Sequence, residues 1–521
     1  MAKKTIRTIP QERTPIPEQP AAERVNNFDE VALGYRAEDA LREAERCLLC
    51  PDPACVLACP VAIDIPGFIE QITLGDPHAA YDILTEANLL PAICGRVCPQ
   101  EDQCELVCPV GDTLEPVAIG RLERWVGDQA LTEGWQSTPD IEPQPFTVAV
   151  VGSGPASLAC AADMAKAGCA VTVYEALHEP GGVLRYGIPE FRLPNRIIDA
   201  EIENLTRLGV RVECNTLVGR IFTIEQMVEQ MGFDAVFIGT GAGSPRFMGI
   251  PGESLHGVLT ANELLTRCNL MGALDFPRHD TPVDIGSRVA VIGAGNTAMD
   301  ALRVSLRAGA EHVYCVYRRS RDESPARDEE LLHAEQEGIE FHWLTAPIEI
   351  LGDDDGRVRA IRCQSMALGE PDESGRRRPV AIAGSEHDIE VDTVVYAIGT
   401  KANPVIGQTS RIDLDDRGYL RADDDLATSL AGVYAGGDIV TGAATVILAM
   451  GAGRRAASAM KAYLGIRDTD VVYRDRSAPE ERIFGIDPGE RNHVRLRLPA
   501  PGPSDRVPAT TVAMTTRGDT T

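Results

Sequence analysis

Eight of the chain's 14 cysteines fall between Cys47 and Cys108, in two compact runs. The first reads Cys47-x2-Cys50-x4-Cys55-x3-Cys59-Pro60 and the second Cys94-x3-Cys98-x5-Cys104-x3-Cys108-Pro109. Soft thiolates at such spacings can wrap an iron–sulfur core, and the last cysteine of a run can reach across to a second cluster. Two [4Fe–4S] clusters need eight ligands, a number the cysteines match without fixing which thiol goes where. Structural zinc is the competing reading. It is disfavoured because both runs close on Cys-Pro and neither contains a histidine. The other cysteines, Cys160, Cys169, Cys214, Cys268, Cys315 and Cys363, stand singly. No Cys-x-x-Cys among them offers the thiol pair that a disulfide reductase needs.

A second kind of chemistry is written in glycine. Residues 148–175 read VAVVGSGPASLACAADMAKAGCAVTVYE: a buried-strand run, a glycine turn, an alanine-rich helix and a second strand ending in Glu175. Gly152 and Gly154 let backbone approach a pyrophosphate at the helix N-terminus, and Glu175 stands where a carboxylate accepts bonds from an adenosine ribose. The pattern recurs from Val289, with Gly293 and Gly295 in the turn and small Ala298 allowing the helix close to the sheet. Here the second strand ends in Tyr317, Arg318 and Arg319. Guanidinium groups pair with a 2′-phosphate where an acid would prefer a free hydroxyl, so the second unit favours NADPH over NADH, with NADH possible. Solvated surface arginines are the competing reading, and Arg327 is a further possible phosphate contact.

The elements that must position these groups suggest an α/β chain of several domains. Residues 1–27 are polar and proline-containing and read as an extended arm, solvated or packed along a partner. Helical runs near Ile65–Leu74, Pro77–Ala87 and Ile119–Val126 predict a small, mostly helical unit around the cysteines. Strand-and-turn signals at Phe233–Ser244, Val394–Gly399 and Val433–Asp438, the last followed by an apolar helix near Ala443–Met460, return the chain to the first nucleotide unit. The expected division is 1–144 for the arm and helical domain and 145–270 with 396–470 for a split first Rossmann-like domain. The second Rossmann-like domain is expected at 271–395 and an extension at 471–521. An acidic group at Asp353–Asp355 and a basic run at Arg376–Arg378 predict an exposed hairpin without a catalytic role.

Formal charge −28 argues against nucleic acid or an anionic membrane as partner. No apolar run is long enough to span a bilayer and no signal-peptide core follows the MAKK start, which predicts a cytoplasmic protein.

The two cysteine runs, PAICGRVCPQ at 91–100, GGVLRYGIPEFRLP at 181–194, the second glycine fingerprint and AGGDI at 435–439 together resemble the family of the bacterial glutamate synthase small subunit. The same segments are similar to the amino-terminal half of dihydropyrimidine dehydrogenase and to the large subunit of the NADH-dependent ferredoxin:NADP oxidoreductase. The resemblance spans roughly residues 25–470 and implies FAD in the first unit and NADPH in the second. It places GGVLRYGIPEFRLP around the FAD; the residues themselves give Gly182 close backbone approach, Arg185 or Arg192 a phosphate contact, a loop-fixing role or a place on the surface, and Asp438, after Gly437, a contact with the ribityl or pyrophosphate region or a helix cap. It also implies an interleaved ligand set, Cys47, Cys50, Cys55 and Cys108 at one [4Fe–4S] cluster and Cys59, Cys98 and Cys104 at the other. The last ligand is Glu123, in IGRLERW, or Cys94, with Glu123 preferred.

The implied activity is electron conversion: hydride from NADPH to FAD, then single electrons out through the clusters. No amino-acid acid/base pair is required for that transfer, so no side chain is assigned a catalytic role. The implied partner is a larger catalytic subunit, the FMN- and iron–sulfur-containing glutamate synthase large subunit. Ferredoxin or another redox subunit is the alternative. A thiol–disulfide reductase and a noncatalytic scaffold rank below both.

Overall fold

A computed structural model of the chain describes residues 9–135, 141–372 and 375–466. The expected carboxy-terminal extension therefore lies outside the described residues. Among the described residues no helix is long and apolar enough to cross a membrane.

The cysteine-bearing unit is built from the helices Ala37–Ala44, Ile65–Leu74, Pro77–Ala87, Pro91–Val97 and Ile119–Glu133. Their ends are chemically marked: Asp64 Oδ1 accepts from Gly67 N at 3.1 Å, and Asp76 Oδ1 accepts from Ala79 N at 3.0 Å. Phe68, Ile69, Leu84, Leu122 and Val126 fill its core. The helices Pro91–Val97 and Ile119–Glu133 cross at backbone distance, since a Cβ on Gly127 would meet Ala92 N at 2.5 Å.

Two five-stranded parallel sheets follow. The first orders Val433–Ala435, Ala235–Ile238, Thr147–Val151, Ala170–Tyr174 and Arg211–Glu213. The second orders Val258–Thr260, Thr393–Tyr396, Arg288–Ile292, His312–Tyr317 and Glu340–Trp343. In both, a glycine turn leaves the central strand, which is why the second sheet repeats the first. A short ribbon, Ser244–Pro245 against Thr400–Lys401, marks the crossings between the units. The division expected at 270 needs correction: Val258 and Leu259 pair with Val394 and Val395, so the second sheet has already begun before that point.

The hairpin expected from the charge runs is an antiparallel sheet of Thr345–Gly352, Val358–Pro371, Arg377–Ala381 and His387–Glu390. The arm also differs from the sequence reading. Residues 1–8 lie outside the described residues, and of the rest Thr14, Arg24 and Val25 are buried against this chain's own domains and not solvated. The cause is electrostatic as well as apolar: Arg24 Nε donates to Glu337 Oε1 at 2.9 Å, beneath the second sheet's helices.

Candidate functional site

The structure gathers the thiols into two sets that cross the sequence runs. Burial, with Cys108, Cys47 and Cys50 as neighbours, pushes the Cys55 thiol up to about 12. Burial and Cys108 likewise raise Cys50. These four thiols, Cys47, Cys50, Cys55 and Cys108, are half-buried. The second set is fully buried. Burial, with Glu123 and Cys98 close by, pushes Cys59 up to about 11. Cys104 is raised well above the usual thiol range by burial and then by Glu105, Cys59, Glu123 and Cys98. Cys98 is raised by its hydrogen bond with Cys94 and by burial.

Clustered thiols whose thiolates are disfavoured by burial, and then by one another, fit a positively charged core that holds them deprotonated. They do not fit one zinc ion, around which sulfurs at Zn–S of about 2.3 Å stand about 3.8 Å apart. Among the described residues, the one three-ligand group whose atoms lie within 4.8 Å of one another is Glu18, Glu329 and His333. That group is an ion-pair cluster, with Arg24 3.5 Å from Glu18 and Arg327 3.6 Å from Glu329.

Asn88 joins the two candidates for the last ligand. Its Nδ2 donates to Glu123 Oε1 at 2.5 Å, and its Oδ1 accepts from Cys94 Sγ at 3.6 Å. Burial pushes the Glu123 carboxyl up to about 8, against the stabilising Asn88 bond. Cys94 Sγ also lies 3.5 Å from Met450 Sδ on the helix Val446–Tyr463, the long helix of the first nucleotide unit. A Cβ on Gly451 of that helix would meet Pro60 O, next to Cys59, at 3.0 Å. The buried thiols therefore abut this helix directly.

At the first glycine turn, Gly152 has φ +93° and Gly182 φ +56°, and a Cβ on Gly182 would meet Gly154 Cα at 2.7 Å. Nothing lies within 4 Å of a Cβ placed on Gly154, so the turn is open where a pyrophosphate would sit at the N-terminus of the helix Pro155–Lys166. Glu175 Oε2 accepts from Ser153 N at 3.0 Å, and Gly181 N donates to Ser153 Oγ at 2.9 Å. The acid thus braces the turn from the sugar side. Gly437, at φ +76°, precedes Asp438, whose Oδ1 accepts from Ala444 N at 3.2 Å. Burial pushes Asp438 up to about 6. Tyr186 faces this same space: burial, then Asp438 and Glu175, push its phenol up to about 12. The sequence reading passed over Tyr186, whose one signal was an aromatic inside a glycine-rich segment.

Two candidate contacts in that segment serve other ends. Arg185 Nε donates to Pro180 O at 2.8 Å and the guanidinium pairs with Asp199, which fixes the loop. Arg192 is buried between Asp300 at 2.7 Å and Glu330 at 3.0 Å, tying the first nucleotide unit to the second. Neither arginine keeps an uncompensated charge for a phosphate.

At the second turn Gly293 has φ +127°, and a Cβ there would meet Ala397 O at 2.3 Å. Gly295 is open except for Pro325 Cγ at 3.6 Å, and Ala298 is fully buried. The two turns can be placed in register through their own hydrogen bonds. Gly152 N donates to Tyr174 O at 2.8 Å, and Gly293 N to Val316 O at 3.0 Å. Tyr317 therefore occupies the place of Glu175, with Arg318 and Arg319 just beyond. Arg318 is exposed, whereas Arg319 is buried and pairs with Asp372 at 2.6 Å. Arg327 points elsewhere: its Nε donates to Glu101 at 2.8 Å and its Nη2 to Gln100 at 3.2 Å, on the cysteine-bearing unit.

Comparison with known proteins fits this layout. The family model for dihydropyrimidine dehydrogenase domain II, 4Fe–4S cluster, matches residues 24–135, and that for pyridine nucleotide-disulphide oxidoreductases matches residues 146–459. The glutamate synthase [NADPH] small chain of Escherichia coli is 35% identical over 477 residues, 89% of this chain and 100% of that protein. The putative oxidoreductase AegA of Escherichia coli is 37% identical over 455 residues, 85% of this chain and 68% of that one. Among solved structures, Mycobacterium tuberculosis FprA in complex with NADPH superposes with TM-score 0.52 at 23% identity, covering 62% of this chain and 85% of FprA. That likeness shows the fold.

Proposed function

This chain belongs to the glutamate synthase small-chain family, and from that membership we propose that it is the electron-input subunit of a multisubunit oxidoreductase. It is an NADPH-dependent FAD oxidoreductase with a 4Fe–4S domain. In our reading it carries two [4Fe–4S] clusters and passes single electrons to a larger FMN- and iron–sulfur-containing subunit. There they support reductive glutamate synthesis from glutamine and 2-oxoglutarate in the cytoplasm. Bound FAD supplies the exchange between paired and single electrons.

The observation that carries the reading is the contact of Cys94 with Met450. It sets the buried thiols against the helix that starts beside Asp438, while Cys47, Cys50, Cys55 and Cys108 are half-buried and lie toward solvent. The chain's own residues have separable tasks. Gly152, Gly154 and Gly182 leave room for the flavin pyrophosphate, with Glu175 and Asp438 as acceptors for its hydroxyl groups. Gly293, Gly295 and Ala298 admit the nicotinamide dinucleotide, and Arg318 offers charge to its 2′-phosphate. Cys47, Cys50, Cys55 and Cys108 would hold one cluster, and Cys59, Cys98, Cys104 and Glu123 the other, with Cys94 beside it.

The test is purification with native partners. The expected outcome is co-purification of a large subunit and NADPH oxidation that depends on glutamine and 2-oxoglutarate. NADPH oxidation by the complex without that dependence rejects the glutamate assignment and supports another acceptor, such as ferredoxin or a different redox subunit.

A further inference from the structure

Of the two arginines that follow the strand His312–Tyr317, only Arg318 lacks a counter-charge among the described residues. Arg319 is 5% exposed, donating from Nε to Arg377 O at 2.8 Å and from Nη2 to Asp372 Oδ2 at 2.6 Å. The Asp372 carboxylate offsets the guanidinium charge. Both acceptors belong to the hairpin formed by Val358–Pro371 and Arg377–Ala381, where Pro371 stands opposite Arg377. Arg319 therefore ties the Asp372 and Arg377 end of this hairpin to the carboxyl end of the strand His312–Tyr317, the end at which Gly293 and Gly295 also lie.

The hairpin delivers replacement charge. Arg377 is exposed and has no ion pair among the described residues, and the same holds for Arg318. A dianionic phosphate is bound best by guanidinium groups that approach from separate elements, each able to give paired N–H bonds. Backbone anchoring at Arg377 O fixes where that residue's side chain begins, against Arg319, two residues beyond the strand His312–Tyr317.

We propose that Arg377, with Arg318, brackets the 2′-phosphate of the dinucleotide's adenosine, so that the hairpin is a specificity element and Arg319 its positioning residue. The proposal rests on the reading that this chain uses NADPH. It gives the basic run Arg376–Arg378 a function beyond solvation: Arg377 binds, and its neighbour Arg378, whose side chain leaves the strand on the opposite face, does not.

The test is calorimetric titration of the purified, cofactor-loaded protein with adenosine 2′,5′-bisphosphate and with adenosine 5′-monophosphate, which differ only in the 2′-phosphate. Arg377→Ser is expected to weaken the bisphosphate about tenfold and leave the monophosphate unchanged. Arg377→Lys should recover part of the loss. Arg319→Ala should reproduce the loss by releasing the hairpin, and Arg378→Ser should bind as the wild type does. Unchanged bisphosphate affinity in Arg377→Ser, an equal loss for both ligands, or a selective loss in Arg378→Ser overturns the proposal. A wild-type protein with no preference for the bisphosphate overturns the NADPH reading as well. That result is distinguishable, because it appears before any substitution is made.

Discussion

Asn88 donates to Glu123 at 2.5 Å from the same side-chain amide whose oxygen accepts from Cys94. One amide thus orients both groups that can complete the buried ligand set. A carboxylate oxygen in place of a thiolate changes the charge of a cluster and hence its potential.

Glu123→Ala is therefore expected to lower iron content or change the paramagnetic spectrum of one cluster, while Cys94→Ser leaves both nearly as they were. Asn88→Ala should shift the spectrum without lost iron, since it removes an orienting bond and no ligand. A spectrum that changes in Cys94→Ser and not in Glu123→Ala reverses the assignment.

Glu337 anchors a different network, with Arg24 Nε at 2.9 Å, Arg303 Nη2 at 2.8 Å and Arg307 Nη1 at 2.7 Å. Burial opposes its ionisation, yet Arg303 and Arg307 hold its carboxyl well below the ordinary range. Glu337→Gln leaves Arg307 without a counter-charge and Arg24 and Arg303 with one carboxylate each, Glu18 and Glu330, at an expected cost of about 3–5 kcal/mol. Urea unfolding measures it. A loss near that of an exposed ion pair, below about 1 kcal/mol, would show that the network is dispensable.

The sequence makes local chemistry legible and leaves distant pairing hidden. Thiol spacing and the two glycine turns are local, because neighbours in the chain build them, and the helices Ile65–Leu74 and Pro77–Ala87 carry their own caps. The arginines could not be read that way. Arg192 finds Asp300 108 residues away, Arg319 finds Asp372 at 53, and Arg327 finds Glu101 at 226. An arginine beside a glycine-rich segment reads as a phosphate ligand until folding supplies a carboxylate. The amino-terminal arm misled for the same reason, since the counter-charge of Arg24 lies at Glu337.

Glu201 gives a pH test at the seam between the cysteine-bearing helices and the first nucleotide unit. It is 4% exposed, in a cavity lined by Tyr81, Leu90, Leu158 and Lys166, and burial pushes its carboxyl up to about 8. The folded protein thus prefers the neutral acid. Its stabilising contribution is fully present below the unfolded-state value and is lost as pH rises toward 8, by at most about 1.4 kcal/mol per pH unit. Glu201→Gln removes the titration. Its melting temperature should gain on the wild type as pH is raised from 5 to about 8.5, and a difference independent of pH would refute the assignment.

Gly453 tests whether the helix crossing sets the flavin site. A Cβ there would meet Ala156 O at 2.0 Å, backbone against backbone, where Val446–Tyr463 crosses Pro155–Lys166. Ala156 lies two residues past Gly154, so relief of the clash must push either the long helix or the glycine turn. Overpacking of this kind costs about 1–3 kcal/mol. Moving the turn also withdraws the N–H groups aimed at the pyrophosphate. Gly453→Ala is accordingly expected to melt earlier and to retain less FAD after gel filtration. The iron content should fall less than the flavin, because Gly451, which meets Pro60 beside Cys59, lies nearly opposite Gly453 around the long helix. Full flavin retention with lowered stability would mean that the long helix yields and the turn does not.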